Sequence, residues 1–388
     1  MNDEAAARIA LLRSLSASAS YVFTTVLTRS PISRIDVSRV TGLSQAAVTK
    51  AVAPLVTAGL VVDNLGSRRD GLPGRPVSPV AIVPESLIAI GIKVNVDELI
   101  GVTTDLTTQV LATHRAPLTN HDPESVVAAI AQVCARLQAP LGRDAGLLAG
   151  IGVAVSGDVD TSAGTVRESA NMGWTAVDLR ALLEPRVGAP VVIENDVRAL
   201  TIAEHLFGVG LGIDSFAIVT IGLGIGAGLH VNGEVVEGVH GVAGEIGHLP
   251  LAPRDRICGC GRRGCVEAVA ATPAIVAAIS AAHGRDVSIT EAVRLAHDGD
   301  VPATEAFTEA ARTIGTAIAS LVNLTGPDLV ILGGEAVSNF DLFDQSLLGA
   351  YREHAFGAAG RCRIVVRPHT FEDWARGAAA AAIRSLTR

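Results

Sequence analysis

The stretch Gly244-Glu245-Ile246-Gly247-His248-Leu249-Pro250-Leu251-Ala252-Pro253-Arg254-Asp255-Arg256-Ile257-Cys258-Gly259-Cys260-Gly261-Arg262-Arg263-Gly264-Cys265-Val266-Glu267 brings one imidazole, three thiols and three carboxylates into 24 residues. Three thiolates and one nitrogen, from Cys258, Cys260, Cys265 and His248, fill a tetrahedral zinc shell and leave no position for water, which is the pattern of a structural ion. Gly259, Gly261 and Gly264 allow the backbone to curl the sulfurs toward one point. Three of the chain's five cysteines fall within these eight residues, where unrelated buried cysteines would scatter.

The surrounding chain has 388 residues, 49% hydrophobic and 18% charged, enough to bury sizeable cores in two or three domains and too apolar for dominant disorder. Aromatics at 3% leave Ala, Val, Leu and Ile to build those cores. Forty glycines without a three-residue period exclude collagen. Five cysteines in a chain of this length do not form a disulfide framework. The first residues include Asp3 and Glu4, unlike the basic start of a signal peptide. The longest uncharged stretch, Ser215 to Gly233, is interrupted by Thr220, His230, Asn232 and recurring glycines, and reads as strand, glycine turn, strand. A cytoplasmic protein with no membrane partner is expected.

Charge divides the chain. Through Val83 nine basic residues face five acidic ones, a net of +4, which leaves −12 for the remainder of a chain whose total is −8. A basic head on an acidic body points to a nucleic-acid-binding head. Within it, residues 7 to 28 carry apolar residues at helical spacing, as one long or two short helices. The segment Ile35 to Leu43 forms a short helix ended by Gly42, and Ser44 caps a further helix over Gln45 to Thr57. Leu60-Val61-Val62 and Val77 to Val83 read as strands flanking the loop Gly66 to Pro76. This outlines a winged helix-turn-helix. Its DNA contacts are expected from Ser44, Gln45, Thr49 and Lys50 on the recognition helix, and from Arg68, Arg69 and Arg75 on the wing.

Beyond Pro84, short apolar strands at Leu87 to Ile92, Leu99 to Thr103, Leu148 to Val155, Pro190 to Ile193, Phe216 to Ile221 and Leu329 to Leu332 alternate with alanine-rich helices, an α/β pattern of two lobes. One strand ends in Asn195-Asp196, an amide and a carboxylate suited to a polyol or simply to capping the next helix. Gly222, Gly224, Gly226 and Gly228 form a turn whose amides can approach an anion, although a tight hairpin needs glycine too. Gly333-Gly334 after Leu329 to Leu332 is a second candidate for a nucleotide wall.

With these motifs the chain resembles the ROK family, whose name joins repressor, open reading frame and kinase, in its repressor branch with an N-terminal winged helix. The resemblance covers nearly the whole chain and rests above all on Gly-Glu-x-Gly-His at 244–248 joined to Cys-x-Cys-Gly-x-x-Gly-Cys-x-Glu at 258–267. It implies a two-lobed actin-like sugar kinase fold over 84–388, preceded by an α+β winged helix-turn-helix over 1–83, with lobes spanning about 84–205 plus 370–388 and 206–369. It implies one structural zinc per chain on His248, Cys258, Cys260 and Cys265. It also implies sugar contacts from Asn171, Asn195, Asp196, Glu245, His248 and Glu267. Asp196 falls at the position of the kinase general base.

Kinases of that family resemble one another in an Asp-x-Gly-Gly-Thr turn after the first strand of the body. The corresponding stretch here is Lys93-Val94-Asn95-Val96-Asp97-Glu98, whose side chains fill the backbone approach and whose carboxylates repel a triphosphate. The expectation is a sugar-responsive transcriptional repressor rather than an enzyme, with Asp196 a vestigial base. Operator DNA and a sugar or sugar phosphate are its expected partners, and a homodimer or homotetramer its expected assembly. Two other readings stay open: an active ATP-dependent sugar kinase with a DNA-binding head, and a regulator that answers to a protein partner.

Overall fold

The computed structural model describes residues 3–63 and 79–387. In the head, α1 (Asp3–Arg13) and α2 (Ala17–Arg29) are two helices meeting at 119°, because the break at Ser14 to Ser16 ends the first and Ser16 caps the second by accepting from the Ala19 amide. A short β1 (Ile32–Ser33) leads to α3 (Arg34–Thr41), which Ser33 caps and Gly42 ends with a φ of 70°. Helix α4 (Gln45–Thr57) follows with Ser44 as its cap. Strands β2 (Val61–Asp63) and β3 (Pro79–Ile82) complete an antiparallel sheet in the order β1-β3-β2. The expected wing contacts Arg68, Arg69 and Arg75 lie outside the described residues.

The body opens with β4 (Ile88–Val94), β5 (Glu98–Asp105), β6 (Val110–Pro117), α5 (Pro123–Gln138) and β7 (Leu148–Val155). A small antiparallel sheet of β8 (Asp158–Asp160), β9 (Thr165–Ser169) and β10 (Trp174–Val177) precedes α6 (Leu179–Val187), β11 (Val191–Asn195) and α7 (Asp196–Phe207). The main sheet runs β11-β7-β4-β5-β6, parallel among β11, β7 and β4 and antiparallel outward. Every residue of β4 and β7 is buried, which matches apolar sequences interrupted only by Lys93 near the end of β4. Helix α5 is part of a 20-residue stretch of mean hydropathy 1.2, long and apolar enough for a membrane span, but Val126, Val127, Ile130, Val133 and Leu137 pack it on the sheet as a core helix.

The rest comprises β12 (Phe216–Ile221), β13 (Ile225–Val231), β14 (Glu234–Val235), α8 (Glu267–Ala270), α9 (Thr272–His283), α10 (Ile289–His297), α11 (Val301–Thr325), β15 (Leu329–Gly333), α12 (Asp344–His354), β16 (Arg363–Val366) and α13 (Phe371–Arg384). Their sheet runs β14-β13-β12-β15-β16. The alanine run of α13 has a physical reason. A Cβ at Gly91 or Gly152 would overlap the backbone of Ala375 or Ala378, so this helix lies directly on β4 and β7. Gly377 in turn meets Ala199 of α7.

Among the described residues no solvated linker divides head from body. Ala5, Ile9 and Leu12 of α1 share one buried cluster with Val26, Val52 and Leu55 of the head and with Leu87, Ala149, Ile383 and Leu386 of the body. Arg8 bridges the two by donating to the carbonyls of Ala58 and Ser86, both at 2.9 Å.

Candidate functional site

Between β14 and α8 the chain forms no long element, and glycine governs its path. Gly261 and Gly264 adopt φ of 81° and 77°, a region that favours glycine, and the Cys258 amide donates to Arg262 O at 2.8 Å to close the knuckle. The donor atoms of His248, Cys258, Cys260 and Cys265 then all lie within 4.8 Å of one another. Cys260 Sγ and Cys265 Sγ are 3.8 Å apart, as are Cys258 Sγ and His248 Nδ1. Two sulfurs each about 2.3 Å from a tetrahedral ion stand about 3.8 Å apart, so the residues fit such an ion. Nδ1 faces the sulfurs, and Nε2 points toward Glu245 Oε2 at 3.8 Å.

Asp196 opens α7. Its Oδ2 accepts from Lys93 Nζ at 2.5 Å and from Ser156 Oγ at 2.6 Å, while Oδ1 accepts from the Val197 amide at 2.9 Å. Lys93 and Asp196 are 4% and 8% exposed, so the pair is withdrawn from water. Burial opposes ionisation of Asp196, but the Lys93 ammonium, the Ser156 hydroxyl and the Val197 amide together hold its carboxyl below the usual range. Asn195 caps α7 through Oδ1 and donates Nδ2 to Gly157 O at 2.9 Å. Behind it, Glu194 and Arg198 form a buried ion pair, and Arg198 also donates to Gly241 O, tying α7 to the loop that leads to Glu245.

Glu245 keeps its side chain partly open to solvent, and desolvation by the protein atoms around it pushes its pKa up. His248 opposes the shift, and the carboxylates of Asp196, Glu267 and Asp158 reinforce it. Glu267 accepts from the Ile225 amide at 3.1 Å and approaches Cys258 Sγ. His248, Asp196, Glu267 and Asp158 therefore all stand near enough to Glu245 to act on its ionisation. Asn171 sits exposed on the turn between β9 and β10. Lys93 as the partner of Asp196 was missed by sequence reading. Its signal was present, since Lys93 is the only lysine after Lys50.

At the head, Gln45, Thr49 and Lys50 are exposed along one face of α4, together with Ala46, Ala47 and Ala53. The Ser44 hydroxyl accepts from the Ala47 amide at 3.2 Å, so its first task is to cap the helix.

The family model of ROK proteins matches residues 89–385. A xylose repressor of Bacillus spizizenii is 29% identical over 327 residues, covering 83% of each chain. Among solved structures, a ROK family transcriptional regulator, homolog of the E. coli MLC protein, aligns with a TM-score of 0.81 at 25% identity over 95% of this chain and 96% of its own. A ROK family glucokinase from Streptomyces griseus, in complex with glucose and AMPPNP, aligns with a TM-score of 0.64 at 28% identity, covering 75% of this chain and 98% of its own.

Proposed function

The chain belongs to the ROK family, and from that premise we propose that it is a sugar-responsive, DNA-binding transcriptional repressor acting in the cytoplasm. The relative named as a regulator matches head and body together, whereas the glucokinase matches three quarters of the chain. One observation carries the case against phosphoryl transfer: Lys93 Nζ lies 2.5 Å from Asp196 Oδ2. A general base must be free to take the proton of a sugar hydroxyl. Here that carboxylate is already paired with an ammonium, and the adjoining Lys93 to Glu98 turn lacks the glycines that would admit phosphates.

In this reading Asn171, Asn195, Asp196, Glu245, His248 and Glu267 hold the sugar hydroxyls. His248, Cys258, Cys260 and Cys265 would hold one zinc, which supplies structural rigidity to the cleft and fixes the orientation of the His248 ring. Gln45, Thr49 and Lys50 read the operator, Ser44 sets the start of their helix, and Arg68, Arg69 and Arg75 add contacts from the wing. The assembly is a homodimer or homotetramer, since a two-fold operator calls for paired heads.

Coupling follows α7. Asn195 and Asp196 stand at its N-terminal end, and Phe207 at its other end packs against the cluster that contains the head. A sugar that repositions α7 therefore acts on the same core that seats α1, and a coupling of 1–3 kcal/mol is typical of such a link. The test is fluorescence anisotropy of the chain with genomic promoter fragments, in the presence and absence of D-glucose and D-xylose, beside an ATP turnover assay. Sugar-dependent operator release without ATP consumption is expected. Turnover at about 1–100 per second would establish the kinase reading instead.

A further inference from the structure

The turn between β12 and β13 presents backbone amides at the end of two interior strands of the second sheet, an arrangement that can bind an anion. Those amides are engaged by the chain itself. The Leu223 amide donates to Glu335 Oε1 at 2.7 Å, and the Ile225 amide donates to Glu267 Oε2. The fit of Glu335 is close, since a Cβ at Gly222 would overlap its carboxylate. Gly334 makes the approach possible with a φ of 93°, where a Cβ would collide with the backbone of Ile221. Gly222 and Gly334 thus serve the seating of a carboxylate on the turn.

Resting on the repressor reading above, we infer that Glu335 is a built-in occupant of this turn and the residue that determines its rejection of nucleotide phosphates. An incoming phosphate must displace a carboxylate from a 2.7 Å hydrogen bond and remain beside that negative charge. The altered turn at Lys93 to Glu98 follows a strand of the other sheet, so the effect of Glu335 can be tested separately from it.

The experiment is calorimetric titration of the full chain with Mg·ADP, in the wild type, Glu335→Gly and Glu335→Gln. The glycine removes the side chain, and the glutamine keeps its size while removing its charge. Wild type should show no saturable binding at millimolar ADP. At least one folded variant should gain affinity about tenfold or more, a change of about 1.4 kcal/mol. Glu335→Gln preserves the test if Glu335→Gly does not fold, as judged by thermal unfolding. Wild-type ADP binding as tight as that of the variants would overturn the inference, and so would the absence of gain in every folded variant. Operator binding by the wild type is measured in parallel. Its failure would defeat the repressor reading while leaving the ADP comparison intact.

Discussion

Lys93 Nζ and Asp196 Oδ2 are 2.5 Å apart, 103 residues distant in sequence, and both side chains are almost wholly buried. Lys93 is the penultimate residue of the first strand of the body and Asp196 begins the helix after the fifth strand of the same sheet, so β4, β7 and β11 carry the two charges to one point. The ammonium also lies 5.5 Å from the centre of the Trp374 ring. Truncating one partner strands the other as a buried charge, which typically costs 3–5 kcal/mol, whereas replacing both by apolar groups is often neutral. Lys93→Met and Asp196→Leu should each destabilise by about that amount in urea unfolding, and the double variant by much less. Additive losses would show that the two side chains do not depend on each other.

Acid should weaken the fold from about pH 6.5 downward. Burial against the stacked His230 ring, 4.0 Å away, with Arg384 nearby, lowers the pKa of His205 from 6.5 to about 4. The His230 ring itself is stacked on Phe216 and faces Glu234 and Asp214. Between pH 6.5 and 4 the unfolded chain binds a proton at His205 that the folded chain does not, so stability is complete above 6.5 and falls through that window. Asp196, held below its ordinary value, acts in the same sense at lower pH, because its contribution is lost as it protonates. Urea midpoints at pH 7.5 and 5 should differ clearly, and His205→Asn should reduce the difference. An unchanged difference would remove His205 from the account.

The cysteine cluster predicts metal content. Protein purified without added metal should contain one zinc per chain by elemental analysis. Cys260→Ser should lose both the metal and sugar binding, because Cys260 and Cys265 stand 3.8 Å apart in the set that seats His248. Stoichiometric zinc in that variant would mean that the ligands lie elsewhere.

Local patterns account for what could be read in advance. The strands Leu148 to Val155 and Phe216 to Ile221 are buried on both faces, so their apolar runs were legible from end to end. Ser44 was legible as a helix start because its capping bond spans three residues, while the similar caps Ser16 and Ser33 emerged only in the structure. The clustering of His248, Cys258, Cys260 and Cys265 was legible because its spacing is local. The Lys93 pair and the seat of Glu335 were not, since they join positions 103 and 112 residues apart and only the folded sheets bring them together. The sheet of β8, β9 and β10 has strands of three to five residues, too short for periodicity to register. The shared core of head and body was also hidden, because the apolar face of α1 has the same sequence whichever partner covers it.

Operator binding should weaken steeply with salt, as lysine and arginine displace counterions from the duplex. Gln45 and Lys50 lie exposed on α4, so Gln45→Ala and Lys50→Ala should change sequence preference as well as affinity. Arg68→Ala and Arg69→Ala should weaken binding more evenly across sequences. Anisotropy titrations on a panel of mutated operators measure both effects. Intact selectivity in Gln45→Ala would place the recognition surface elsewhere.

The link between cleft and head can be tested on α7 itself. Phe207 packs at the end of that helix against the cluster that includes α1, while Asn195 and Asp196 stand at the other end. Phe207→Ala leaves every proposed sugar contact in place and loosens the packing that would carry the signal. Sugar affinity in this variant should stay within about threefold of wild type, a change under 1 kcal/mol, while the sugar-induced change in operator affinity should shrink. Linkage adds a second requirement on the wild type. Whatever factor a sugar imposes on operator affinity, saturating operator must impose on sugar affinity. Titrations of D-glucose and D-xylose with and without operator give that factor directly, and Phe207→Ala should reduce it equally in both directions. A full sugar response in the variant would exclude α7 as the route, leaving α13, whose Ile383 reaches the same cluster, as the element to probe next.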